Sequence, residues 1–214
     1  MSPEGRPRLR GVLHHWAALV ALGAGLVLVV MAPTARAAWA AGVYAFSVVI
    51  LFGVSAAYHR PTWPPRIYLW MKRIDHAAIG VLIAGTYTPL CLLLLPESLG
   101  SPLLIAAWLT AGLIAVRAIG WPRAPKWIAV GLYLAQGWLV VPFSGTVWAA
   151  TSGLQFAELA GGGLAYTVGA FIYAVKRPDP FPRVFGYHEL FHALTILACG
   201  LHFALVLSVV RSAV

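Results

Sequence analysis

The stretch Tyr187-His188-Glu189-Leu190-Phe191-His192-Ala193-Leu194-Thr195-Ile196-Leu197-Ala198-Cys199-Gly200-Leu201-His202-Phe203-Ala204-Leu205-Val206-Leu207-Ser208-Val209-Val210 decides the fold. It is a long, unalternating apolar run that carries one carboxylate and three imidazoles. A helix needs roughly 20 such residues to cross a bilayer. Six further runs of the same kind lie at 11–32, 38–58, 74–95, 102–121, 127–143 and 154–175. The fourth contains Arg117, and the fifth is the shortest. The seven runs predict an all-α integral membrane protein, a single seven-transmembrane helix bundle over residues 1–214. Composition agrees: 61% of residues are hydrophobic, 10% are charged, and the mean hydropathy is +0.83. Soluble domains carry about 25% charged residues. A water-soluble enzyme, a disordered chain and a collagen-like fibre are therefore excluded, and the lack of apolar-polar alternation excludes an outer-membrane barrel. Cys91 and Cys199 both sit inside apolar runs and offer neither a disulfide framework nor a metal-binding spacing.

The connections between runs are short and rich in proline, as in Arg60-Pro61-Thr62-Trp63-Pro64-Pro65 and Lys176-Arg177-Pro178-Asp179-Pro180-Phe181-Pro182. Each such turn stops a helix. Positive charge tests the count independently. Thirteen of the 15 Lys and Arg fall in four alternate segments, namely Arg6 to Arg10, Arg60 to Arg73, Arg117 to Lys126 and Lys176 to Arg183. Arg36 and Arg211 fall on the other side. Lys and Arg accumulate in cytoplasmic loops, so the N-terminus is expected in the cytoplasm and the C-terminus outside. The formal net charge of +9 thus reports topology, and no nucleic-acid partner is expected. The segment from Arg6 to Ala35-Arg36-Ala37 has the layout of a secretory signal, but its apolar run exceeds the usual 7–15-residue core, so a retained span is expected.

Ionisable groups inside membrane spans are costly and mark candidate sites. His59 ends the second run, Asp75 and His76 begin the third, and His188 and His192 begin the seventh. The predicted topology brings all of them to one depth at the cytoplasmic edge. His188 and His192 are four residues apart, on one helix face. That spacing lets two imidazoles share one ion, with His59 as a third donor. Three histidines leave an open position, as in catalytic zinc sites. Imidazole also suits copper, iron and nickel. Ser55, four residues before His59, can orient the site or support an oxyanion, and Asp75 can act as general base toward water. Structural alternatives stand beside these roles: the histidine pair bonding within the bundle, Asp75 as a helix cap, Ser55 bonding its own backbone. His202 lies roughly 21 Å deeper than His188 and is read as a packing or cavity residue. His14 and His15 are read as interfacial.

His188-Glu189-Leu190-Phe191-His192 also matches H-E-x-x-H, the zinc metalloprotease pattern, with Glu189 as base. Glu189 in a first helical turn is equally explained by the macrodipole, and Asp75 already supplies a carboxylate, so the protease reading is not adopted.

Several motifs together carry a family resemblance. They are Ser55-Ala56-Ala57-Tyr58-His59, Ile74-Asp75-His76-Ala77-Ala78-Ile79, Ala84-Gly85-Thr86-Tyr87-Thr88-Pro89, and His188-Glu189-Leu190-Phe191-His192 with His202. The chain resembles the bacterial hemolysin III branch of the progestin and adipoQ receptor family, over nearly its whole length. The resemblance implies a seven-helix bundle with a cytoplasmic N-terminus, and Zn2+ held by His59, His188 and His192 with Asp75 and Ser55 beside it. The wider superfamily includes alkaline ceramidases with a similar Ser, Asp and three-His set. The expected function is a zinc-dependent lipid amide or ester hydrolase in the bacterial cell membrane, with Asp75 and Ser55 catalytic and a membrane lipid as substrate. A zinc-stabilised receptor or homeostasis sensor and a hemolysin-type pore are the alternatives.

Reporter fusions should place the 60–73, 117–126 and 176–186 connections in the cytoplasm and residue 214 outside. A cytoplasmic C-terminus would contradict the seven-span reading of the charges.

Overall fold

The computed structural model describes residues 7–213; Arg6 and Val214, both used in the charge and topology reading, lie outside them. Eight α-helices make up the described chain: α1 (Val12–Val30), α2 (Ala35–His59), α3 (Pro65–Pro89), α4 (Glu97–Gly120), α5 (Lys126–Gly137), α6 (Ser144–Ala150), α7 (Gly153–Val175) and α8 (Tyr187–Arg211). A π-helical turn at Leu90–Leu94 extends α3, and a 3-10 turn at Val141–Phe143 joins α5 to α6. Seven helical segments are therefore long and apolar enough to cross a membrane.

Two boundaries differ from the sequence expectation. The third span begins at Pro65 rather than at residue 74. Proline suits the first helical turn, where its missing N–H is not needed, so the helix starts in the cationic stretch before the apolar run begins. The fifth span is broken at Gly137 but continues to Ala150. Pro142 cannot continue an α-helical hydrogen-bond ladder, and the chain tightens through the 3-10 turn before resuming. Buried Gln136 ties this break down: its Nε2 donates to Gly80 O and Ala107 O, both at 3.0 Å.

Neighbouring helices pack in order from α1 to α4, and α8 packs on α7 and closes back onto α1, α2 and α3. The α2, α3 and α8 spans are 50%, 61% and 44% buried, against 17–28% for the other four. These three form the centre of the bundle, and they carry His59, Asp75, His188 and His192. Small residues make the approach possible, as is usual between membrane helices. Ala37, Ala40 and Ala41 are fully enclosed. Large apolar side chains such as Trp16, Val20, Val30, Val116 and Phe171 are left facing outward, where lipid can cover them.

The cationic connections gather at one end. Arg8 N–H donates to Arg183 O at 3.0 Å, Leu9 N–H donates to Val184 O at 3.1 Å, and Lys72 Nζ reaches Pro122 O at 3.3 Å. Gly11 turns the incoming chain into α1 with φ +74°, and a Cβ there would lie 2.8 Å from His59 Cβ. Only glycine allows both the left-handed conformation and the contact.

Gly11→Ala should therefore lower the apparent stability in detergent by about 1–3 kcal/mol, the usual cost of a non-glycine residue in that conformation. Gly23→Ala, in a helix interior with open space around it, should be neutral or stabilising. Thermal unfolding of the two variants checks this; equal Tm values would contradict it.

Candidate metal centre

The last residue of α2 and the first turns of α8 meet at the cationic end. His59, His188 and His192 are buried there, and one ring nitrogen from each lies within 4.8 Å of the others. His188 Nε2 and His59 Nε2 face each other at 3.2 Å. The ring centroids are 4.7 Å apart for His59–His188, 4.5 Å for His188–His192 and 5.2 Å for His59–His192. Among the described residues this is the one group of three or more His, Cys, Asp or Glu side chains with that convergence. Three imidazoles with no thiolate or carboxylate among them make a donor set for a borderline-soft divalent ion, with room for a further ligand.

Around the three lies a set of supporting contacts. Ser55, one turn before His59 on α2, stands beside Asp75 of α3 in the wall of the site. It also meets His14 Nδ1 at 2.8 Å. A serine hydroxyl has one proton. The ring nitrogen and the hydroxyl share this one contact, so each orients the other. His14 is stacked on His192 with ring centroids 3.7 Å apart and planes 10° from parallel.

His14 corrects the sequence reading, which put it at the membrane interface. It is only 2% exposed and belongs to the wall of the site. Arg10 was counted only as a topology charge. Its Nε donates to Glu189 Oε1, and Glu189 Oε2 accepts the Gly186 N–H at 2.9 Å. Glu189 is fully buried and both its oxygens are engaged. It thus caps α8 and anchors the chain before α1, which leaves the H-E-x-x-H match without a free base.

A cavity of about 730 Å³ opens beside the cluster and runs into the bundle. His14, Ser55, His59, Asp75, His188 and His192 all line it. His76 and His202 line it too but stand outside the three-histidine cluster. His202 Nε2 donates to Leu159 O on α7 at 3.2 Å, which suits the packing role read from its depth. Cys199 Sγ pairs with Tyr166 OH at 2.8 Å, and Cys91 is buried against the π-helical turn, so neither thiol reaches the site.

The sequence matches the family described as Haemolysin-III related over residues 4–203. It is similar to the "Hemolysin-3 homolog" of Bacillus subtilis (strain 168), 30% identical over 188 residues, which cover 86% of this chain and 85% of that protein. It is also similar to "Hemolysin-3" of Bacillus cereus, 30% identical over 200 residues, covering 92% and 88% of the two chains.

Breaking one side of the Arg10–Glu189 pair leaves a buried charge unmatched. Arg10→Met should cost about 3 kcal/mol, the low end for a buried pair because the arginine keeps 20% exposure. Arg10→Met with Glu189→Gln should recover more than half of that loss. Chemical unfolding in detergent reads both, and a double variant no more stable than the single one would show that the pair is not what matters.

Proposed function

The chain belongs to the Haemolysin-III related family of multi-pass membrane proteins, and we propose that it is a zinc-containing hydrolase of lipid amides or esters whose site lies at the cytoplasmic membrane edge. The observation that carries this reading is the buried convergence of His59, His188 and His192 on the wall of a cavity that also holds Asp75 and Ser55. The three imidazoles would hold the metal, and a cluster with three protein donors among the described residues suits a site that works on a ligand rather than one that only braces the fold. Zinc bound there would polarise a carbonyl and make a nearby water more acidic at neutral pH.

The rest of the chemistry falls to the chain itself. Asp75 supplies a carboxylate to take a proton from water. Ser55 stands beside it to orient it, and His14 Nδ1 meets the Ser55 hydroxyl at 2.8 Å. Proton transfer to a base fixed in this way is worth roughly 10²–10⁴ in rate. Burial of the whole group excludes bulk water and strengthens each of these electrostatic contacts. The cavity wall is mainly apolar toward the bundle interior, with Leu82, Leu90 and Leu103 among its residues, which suits an acyl chain entering from the bilayer. A membrane sensor with structural zinc would need the same histidines but no base, so Asp75 separates the two readings.

His59→Ala, His188→Ala and His192→Ala should each lose most of the zinc measured by elemental analysis, while His202→Ala keeps it. Asp75→Asn should retain zinc but hydrolyse a short-chain ceramide-like amide roughly 10²–10⁴ times more slowly than wild type. Full zinc in all three alanine variants would overturn the metal assignment. Equal activity at equal zinc in Asp75→Asn would remove the general-base role, and an inactive wild type across lipid amides and esters would favour the sensor.

A further inference from the structure

The cavity has a second polar region, separate from the three histidines but adjoining them through Tyr173. Lys72 of α3, Arg117 of the last turn of α4 and Lys126 of the first turn of α5 all line it. The three cations are each near enough to His76 to act on it electrostatically. Lys72 is satisfied by the Pro122 carbonyl at 3.3 Å, and Lys126 lies over the Tyr173 ring at 5.0 Å. Arg117 is different. Its Nε and Nη1 are buried and have no hydrogen-bonding partner among the described residues. Of the two carboxylates on the same wall, Asp179 accepts the Tyr187 N–H at 2.8 Å and Asp75 stands beside Ser55, and neither forms an ion pair with Arg117 among the described residues.

A half-buried guanidinium with two nitrogens left unmatched is stabilised when something of opposite charge meets it. A guanidinium with two ammonium groups nearby suits a phosphate, which carries more than one negative charge. The apolar part of the cavity begins beside these cations. Along α4 it reaches from Arg117 to Leu103, roughly 21 Å at 1.5 Å per residue, and Leu94, Val147 and Phe156 lie at the far end. Cation cluster and apolar tunnel are one cavity.

We propose that Arg117, Lys72 and Lys126 form a subsite for the phosphate of an acyl lipid, with the acyl chain in the tunnel. As a statement about the substrate it rests on the hydrolase reading above, because the lipid's cleavable amide or ester would then lie between phosphate and chain, beside the histidines. As a statement about binding it stands without that reading.

The test uses the full-length protein in uncharged detergent and compares oleoyl lysophosphatidic acid, monoolein and inorganic phosphate by native mass spectrometry. Wild type should bind the phosphate lipid at least roughly ten-fold more tightly than monoolein, the worth of one charge-assisted contact. Inorganic phosphate alone should not bind measurably. Arg117→Gln should bring the two lipids within about two-fold of each other, and Lys126→Gln, at an exposed position that tolerates change, should reduce the preference. Arg66→Gln, an exposed cation at the same end but off the cavity, should keep it. Equal binding of the two lipids by wild type would overturn the proposal, as would an unchanged preference in Lys126→Gln together with Arg117→Gln. An equal loss in Arg66→Gln would mean a general cationic surface, and tight binding of inorganic phosphate alone would mean a free-ion site. Zinc content measured on the same samples separates the two readings: phosphate preference without zinc sinks the hydrolase alone, and zinc without phosphate preference sinks the subsite alone.

Discussion

An ionisable side chain held inside a membrane bundle must find its partner within the protein, because lipid offers none. At the cationic end of this molecule that constraint organises everything else. Glu189 is fully enclosed in the first turn of α8 and is tolerable there because Arg10 and the Gly186 N–H meet its two oxygens. Arg10 in turn fixes where the chain enters α1. Gly11 then allows the backbone to press against His59, and His14, one turn on from Arg10, is laid flat on His192. The backbone bonds from Arg8 and Leu9 to Arg183 and Val184 hold the same junction from outside. One ion pair between the chain entering α1 and the first turn of α8 thus sets the position of a ring in the wall of the site.

The second consequence is a chain of support running inward. His14 meets the Ser55 hydroxyl, Ser55 stands beside Asp75, and Asp75 shares a cavity with three converging imidazoles. The imidazoles come from α2 and α8 and the carboxylate from α3, the three most buried helices, so the backbones carrying them are also the most tightly packed. A site that must keep its groups in one geometry is well served by that placement. The helices that remain, α1 and α4 to α7, are less enclosed by protein and complete the cavity wall.

Much of this was legible in the sequence. Apolar run length and the alternation of cationic connections gave seven helices, and the register of those helices put His59, Asp75, His188 and His192 at one level. Spacing on a single helix carried the rest, as with His188 and His192. What could not be read was which faces of distant helices meet. His14 lies in the first span and its partners lie in the second and the last, so nothing local distinguishes it from the neighbouring His15. The macrodipole accounted for Glu189 and topology accounted for Arg10, and two sufficient local explanations hid a contact across the whole chain. Arg117 was similarly absorbed into the charge count, although a guanidinium turned into a cavity behaves unlike one in a loop. The early start of α3 was hidden because polar residues carried on a proline-initiated helix look like a connection when only hydropathy is followed.

The ligand set of any zinc the protein carries tests the proposed metal site most directly. X-ray absorption at the zinc edge, on protein purified without added metal or chelator, reads the ligand set of whatever zinc is present. One zinc per chain with three imidazole nitrogens, the remainder light atoms and no sulfur is the expected result. Zinc at well below one per chain, or a spectrum dominated by sulfur or by fewer than two imidazoles, would contradict a site built from His59, His188 and His192.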